Sequence, residues 1–215
     1  MSHLIPQRSP EMMSTEFADL CALLDDTAIA HVSVIRDGRP FTFGTLIARV
    51  DDGIVIHGST GSRWMRQLTA EPCAVAVTKV DGVVVARSAF ESSMLYRSAL
   101  ILGQFAEVPE ARKEEVLRLL TDRLIPGRTA EVRPSTKKEL AATMLLEMPM
   151  NEWSLRISDD WPEDPDDDVA GDAWAGKIRF TELRSRLEAT PDLRAGISPT
   201  PAILAAQKAA GRLSS

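Results

Sequence analysis

AIAHVSVIRDGRPFTFGTLIARVDDGIVIHGS, residues 28–59, decides the fold class. It holds three apolar runs, Ala28–Arg36, Phe41–Val50 and Ile54–His57, broken by DGRP and DDG. Such breaks are hairpin signals, because glycine reaches positive φ at no steric cost. The pattern predicts three antiparallel strands in succession. A second block repeats it: CAVAVTKV (73–80), a DG turn, VVVARSAF (83–90), then YRSALILGQFAEV (96–108), where Gly103 suits a bulge or close approach. MLLEMPMNEWSLRIS (144–158) reads as a last strand. Parallel strand–helix–strand alternation is absent, and this predicts an antiparallel barrel with peripheral helices. Closure would also remove the edges of so many apolar strands.

Helices are expected around the strands. STEFADLCALLDD (14–26) places Phe17, Leu20, Cys21 and Leu24 on one face, with Ser14 or Thr15 as cap. SRWMRQLTAEP (62–72) is a short helix ended by Pro72. PEARKEEVLRLLTDRLI, from Pro109, has acids early and a stripe of Val116, Leu119, Leu120 and Leu124. STKKELAAT starts a shorter one, with Ser135 or Thr136 and Glu139 at its beginning. AWAGKIRF (173–180) is a short extended piece, and the remainder is partly helical. The chain thus divides into an N-terminal arm and helix (1–27), a barrel with inserted helices (28–158), an acidic loop (159–172) and a C-terminal extension (173–215) packing on the barrel or a partner subunit.

Composition narrows the function classes. With 215 residues, 44% hydrophobic and 26% charged, the chain has the mix of a soluble globular protein. No apolar run is long enough to span a bilayer, and the N-terminus has no secretory apolar segment. Cys21 and Cys73 have no metal-ligand spacing and read as reduced core residues, which suggests a cytoplasmic setting. The net charge of −6 comes from one stretch, DDWPEDPDDDVAGD (159–172), which carries eight of the 31 acids and no base. It reads as a solvated linker. No basic stripe with interleaved aromatics is present, which argues against nucleic acid.

The junction IVIHGSTGSRWMRQL (54–68) is the first candidate site. Free N–H groups at a helix start, serine hydroxyls and Arg63 would favour a phosphate. Arg66, one turn on, would assist or face solvent. The same residues also make a plain strand-to-helix turn with a capping Ser and a surface Arg. It is neither a Walker A loop nor a GxGxxG fingerprint. His57 ends an apolar strand, and a lone His is commonly a hydrogen-bonded interior residue; His3 and His31 offer no metal-ligand spacing with it, so no metal is expected. ARSAFESSMLYRSA (86–99) brings Arg87, Tyr96, Arg97 and Ser98 between apolar strands, and a buried Arg needs a partner, either a ligand oxygen or Glu91. Trp174 would lid a pocket or anchor the C-terminal segment. Hydrolase and metalloenzyme motifs are missing, so any chemistry points to a cofactor.

HGSTGSRWMRQL, VDGVVVARSAFESSMLYRSALILGQ, PGRTAEVRPSTKKELAAT and AWAG, in this order, resemble the pyridoxamine 5′-phosphate oxidase-related flavin-binding proteins, and within them the nitroimidazole-resistance group. The resemblance spans about Asp19 to Phe180. It implies a split β-barrel homodimer with FMN, or alternatively FAD, at the subunit interface. It implies that Ser62 and Arg63 hold the flavin phosphate, beside His57, Gly58 and Ser59. Thr45 and Leu46 would run along the ring edge, and Ser98 would face the flavin, flanked by Tyr96 and Arg97. Trp174 would come from the other subunit, as would Arg133 and Ser135. It further implies a flavin-dependent oxidoreductase that takes hydride from NAD(P)H and reduces a small planar or nitro-aromatic compound. A non-catalytic flavin module or sensor is the alternative, as is a pyridoxamine-phosphate-oxidase-like enzyme. No catalytic side chain is assigned; His57 is the nearest to one. The chain departs from the pattern at Trp64, where a second base is usual, and at Leu95, where Asn is common. An Arg-Leu-His sequence after Trp174 is missing.

Overall fold

A computed structural model describes residues 9–180, 187, 196 and 198–213. His3 and part of each expected terminal segment lie outside the described residues. In chain order the elements are β1 (Met13–Ser14), α1 (Phe17–Asp25), β2 (Ile29–Arg36), β3 (Arg39–Leu46), β4 (Ala48–Val50), β5 (Gly53–Ser59), α2 (Arg63–Ala70), β6 (Cys73–Val85), β7 (Ser93–Gly103), β8 (Ala106–Glu107), α3 (Lys113–Leu124), α4 (Lys137–Ala142), β9 (Thr143–Pro149), β10 (Glu152–Ser158), α5 (Asp166–Val169), β11 (Gly176–Arg179) and α6 (Pro201–Leu213).

The architecture is mainly antiparallel β with peripheral helices, as the hairpin pattern predicts. The strands form two sheets. The large one runs β1-β10-β7-β6-β2-β3, with β11 also on β6; the small one runs β4-β5-β9-β8. The sheets do not close on each other, so the expected removal of every edge does not occur: β3, β4 and β8 each end a sheet. The β2–β3 turn is as expected, with Asp37 at φ 51° and Gly38 at φ 71°.

Two strand boundaries differ from the prediction. Residues 73–85 form one 13-residue strand rather than a hairpin. The second Asp-Gly pair is an irregularity in β6, where the register with β7 shifts between Val80 and Gly82. Gly82 is needed there because β11 passes so close that an added Cβ would lie 2.3 Å from the Ile178 carbonyl oxygen. The strand ends at Val85, before 86–90. Residues 144–158 are two strands in different sheets, β9 and β10. Pro149 has no N–H to continue the ladder, and the Met150 N–H turns to the Asp52 carbonyl.

Alternation fills the core. Ala30, Val32 and Val34 of β2, Val75 and Val77 of β6, Ala99 and Ile101 of β7 and Leu155 of β10 face inward. They meet Leu20, Leu23 and Leu24 of α1, together with Ile54, Ile56, Leu146 and Met148 of the small sheet. Each buried leucine contributes about 1.5–3 kcal/mol relative to exposure. The α1 face includes Leu23, with Cys21 only half-buried, and Glu16 is its N-cap residue rather than Ser14 or Thr15. The Ser14 hydroxyl donates to Asp19 instead, at 2.6 Å. On the other side of the small sheet, Val116 and Leu120 of α3 pack on Ala48, Val55 and Leu145. Cys73 is buried, and burial raises its thiol to about 11, which keeps it neutral. No helix among the described residues is long and apolar enough to cross a membrane.

Candidate anion-binding junction

The turn between β5 and α2 uses its early N–H groups internally. Thr60 N–H donates to the Ala142 carbonyl (3.1 Å) and Ser62 N–H to the Ser59 carbonyl (2.9 Å). Gly61 N–H donates to Ser59 Oγ (3.1 Å). Arg66 reaches back, its Nη1 donating to the Thr60 carbonyl at 2.6 Å. It therefore braces the turn while remaining exposed.

The helix start is different. Ser62 is the N-cap residue, yet its hydroxyl caps nothing. The N–H groups of Arg63, Trp64 and Met65, like the exposed Arg63 side chain, have no partner among the described residues. The first turn holds no acid. Free donors, the positive end of the helix dipole and a guanidinium converge on one spot, which is the chemistry of a phosphate or carboxylate site.

Packing sets this spot in place. Met65 and Leu68 bury the inner side of α2. An added Cβ at Gly58 would meet Met65 Sδ at 2.4 Å, so a larger residue there would have to displace the Met65 side chain. The Trp64 ring stacks on Phe43 of β3, with centroids 4.9 Å apart and 17° between planes. That stack accounts for Trp64 where a base was expected, and it holds the β3 segment carrying Thr45 and Leu46 beside the helix. His57 is exposed at the end of β5, opposite Leu145, with no side-chain partner among the described residues. Thus Thr45, Leu46, His57, Gly58, Ser59, Ser62 and Arg63 share one neighbourhood.

The other predicted residues lie elsewhere in the chain. Arg133 forms a two-pronged ion pair with Glu139 (2.9 and 2.7 Å). Ser135 N–H donates to Glu114 at 3.2 Å. Both residues precede α4, whose far end, Ala142, touches the junction. Thr136 and Glu139 close that helix with a capping box. Arg133 first, then Thr136, lowers the Glu139 carboxyl strongly. Tyr96 and Ser98 lie on the outer face of the large sheet, where the Ser98 hydroxyl meets that of Thr78 at 3.1 Å. Arg97 points inward to Asp81 (2.9 Å) and Asp26 (3.0 Å). Trp174 is 65% exposed, its ring over Gly176.

Arg87 pairs with Asp164 at 2.9 Å, not with Glu91. Asp164 also accepts from the Arg87 N–H, and its side chain is 1% exposed. The acidic stretch is therefore pinned to the barrel rather than wholly solvated; Asp159 also holds Lys177 and Arg179. Sequence reading missed Asp164, because nothing local distinguishes it from seven neighbouring acids. Among the described residues no three His, Cys, Asp or Glu groups converge as a metal site.

The family model described as pyridoxamine 5′-phosphate oxidase matches residues 16–157. The FAD and heme binding protein from Mycobacterium smegmatis is 47% identical, with a TM-score of 0.86, covering 90% of this chain and 96% of that one. The flavocytochrome Anf3 from Azotobacter vinelandii is 30% identical, with a TM-score of 0.87, covering 95% and 96%. A "putative 5-nitroimidazole antibiotic resistance protein" from Bacteroides thetaiotaomicron shares the fold at 11% identity and a TM-score of 0.57, covering 67% and 86%. No curated protein matches.

Proposed function

The chain belongs to the pyridoxamine 5′-phosphate oxidase family, and from that premise we propose that it is a flavin-dependent oxidoreductase that also carries heme. The observation that carries the flavin reading is the start of α2, with its unpaired N–H groups, idle Ser62 hydroxyl and unpartnered Arg63. A flavin phosphate fits that donor set. FAD is favoured over FMN because the 47% identical relative is described as binding FAD. Ser62 and Arg63 hold the phosphate, and the Phe43–Trp64 stack holds Thr45 and Leu46 along the ring. When bound, the flavin supplies hydride transfer from a nicotinamide donor to a small planar acceptor.

The junction and the Tyr96–Ser98 surface are separate within one chain, and Arg133 and Ser135 precede α4, at the end opposite Ala142. A flavin touching both sets needs a second copy, so the proposed unit is a homodimer with a shared site. Arg97 is left out of the flavin contacts, because its Nε and Nη2 are engaged by Asp81 and Asp26 on the inner face. Heme enters the reading through the two relatives described as a heme-binding protein and a flavocytochrome.

An absorbance spectrum of the purified protein, with mass spectrometry of released ligand, is the test. The expected result is flavin bands with the mass of FAD, and a Soret band. A protein that stays colourless after incubation with FMN, FAD and heme overturns the reading. NAD(P)H oxidation with an added acceptor separates the enzyme from a non-catalytic flavin module.

A further inference from the structure

A cavity of about 200 Å³ lies between α3 and the 129–135 segment that leads into α4. Glu114, Leu117, Arg118 and Thr121 form its helical wall, because spacings of three and four residues put them on one face of α3. The 129–135 segment supplies the rest, including Val132, which its own chain leaves 42% exposed.

Some polar groups here are already spent on the fold. Arg133 grips Glu139, and Thr129 donates to Asp122 through both its N–H and its hydroxyl. Two charged groups are not spent. Glu114 Oε1 accepts from the Ser135 N–H at 3.2 Å, but its Oε2 is buried without a partner among the described residues. Arg118 forms no hydrogen bond or ion pair among them, since Asp122, four positions on, is taken up by Thr129. A buried carboxylate oxygen with no donor is costly, and a ligand that brings one relieves the cost.

The ligand must therefore carry O–H or N–H donors for Glu114, an anion for Arg118, and an apolar surface for Leu117 and Val132. Its size is bounded as well. The cavity is smaller than the ~300–1,000 Å³ that encloses a whole cofactor-sized molecule, so it takes one end of a longer one. We infer that it receives the adenosine phosphate end of a dinucleotide. Ribose hydroxyls donate to Glu114, a phosphate lies on Arg118, and the base packs on Leu117 and Val132. The source of that end rests on the proposed function, in which FAD and the nicotinamide donor both carry it. The cavity also borders Arg133 and Ser135, which that reading already gives to the flavin.

Titration of flavin-free, full-length protein with ADP, FMN and FAD tests this, because FMN lacks the adenylate half. Glu114→Gln keeps the acceptor for Ser135, and Arg118 is exposed, so both Glu114→Gln and Arg118→Gln should melt as the wild type does. Each is expected to weaken ADP about tenfold, the scale of a lost charge-assisted hydrogen bond, with FMN affinity unchanged and Arg118→Lys intermediate. FAD affinity that falls by the same factor identifies FAD as the source. Unchanged FAD affinity with a tenfold higher KM for NAD(P)H, at unchanged kcat, identifies the nicotinamide donor. Wild-type protein that ignores millimolar ADP, or variants that lose FMN and FAD equally, overturn the inference and leave the flavin reading standing. Wild-type protein that binds ADP but neither flavin overturns the flavin reading and leaves the adenylate site.

Discussion

Arg63 and Arg97 are treated in opposite ways. Arg97 closes the inner end of the large sheet. Its guanidinium donates twice to Asp81 and once to Asp26, and Lys79 adds a second cation on Asp26 at 3.3 Å. The Asp81 bonds raise the Arg97 pKa despite burial. Burial alone would raise Asp26, but its bonds to Arg97 and Lys79 outweigh that and hold it below its usual value. Arg63, at the start of α2, has no such company among the described residues, and the backbone around it also presents donors unpaired within them. A cation that the chain neutralises by itself serves the fold. A cation left beside idle donors marks a place where the chain expects an anion from elsewhere.

The sharpest way to break this comparison is Arg63→Ala. Flavin affinity is expected to fall by about 1.5–3 kcal/mol, roughly ten- to a hundredfold and more, with the melting temperature little changed. A titration that gives unchanged affinity removes the phosphate assignment. Arg97→Met should do the reverse. It leaves Asp26 and Asp81 facing each other without their shared cation, and unfolding stability should drop by about 2 kcal/mol, less than for a fully buried pair because these side chains are partly exposed. Denaturant titration measures the drop; weaker flavin binding at unchanged stability would invert the roles.

Acid sharpens the same point on a smaller scale. The folded pKa of Asp26 lies below the ordinary 3.8, so its contribution is complete well above that value and disappears as pH falls through the folded one. Stability measured across the range below about pH 4 should therefore decline more steeply in the wild type than in Asp26→Asn. Equal slopes would mean that the ion pairs contribute nothing. The smallest effect is expected for Arg133→Gln. That arginine and its partner Glu139 are solvent-exposed, so melting should be unchanged. Any change should then appear only in flavin binding, through a partner subunit.

Much of the fold was legible because its signals are local. Asp37-Gly38 makes a two-residue turn with both residues at positive φ. Thr136 and Glu139 cap α4 three residues apart. The Gly-Ser-Thr junction opens a helix as its residues imply. The second Asp-Gly pair, at 81–82, carries the same local signal and does something else. There β7 on one side and β11 on the other both pair with Val83 and Val84, and two ladders outweigh a turn preference. Ile178, 95 positions beyond its partner Val83, is invisible to a hairpin rule.

The site divides along the same line. Ser62, Arg63, Gly58 and His57 lie within one strand–turn–helix, so their grouping could be read from spacing. The partner of Arg87 could not, since Asp164 is 77 positions distant and sits among similar acids. By itself the sequence determined the antiparallel strand class, the presence of the helices around the strands, and the donor-rich junction, all through interactions spanning a few residues. Tertiary structure alone decided which strands continue, which sheet each half of 144–158 joins, and which arginines are spent on the fold. Charge partners and strand neighbours are chosen by proximity in space, and chain order does not encode that directly.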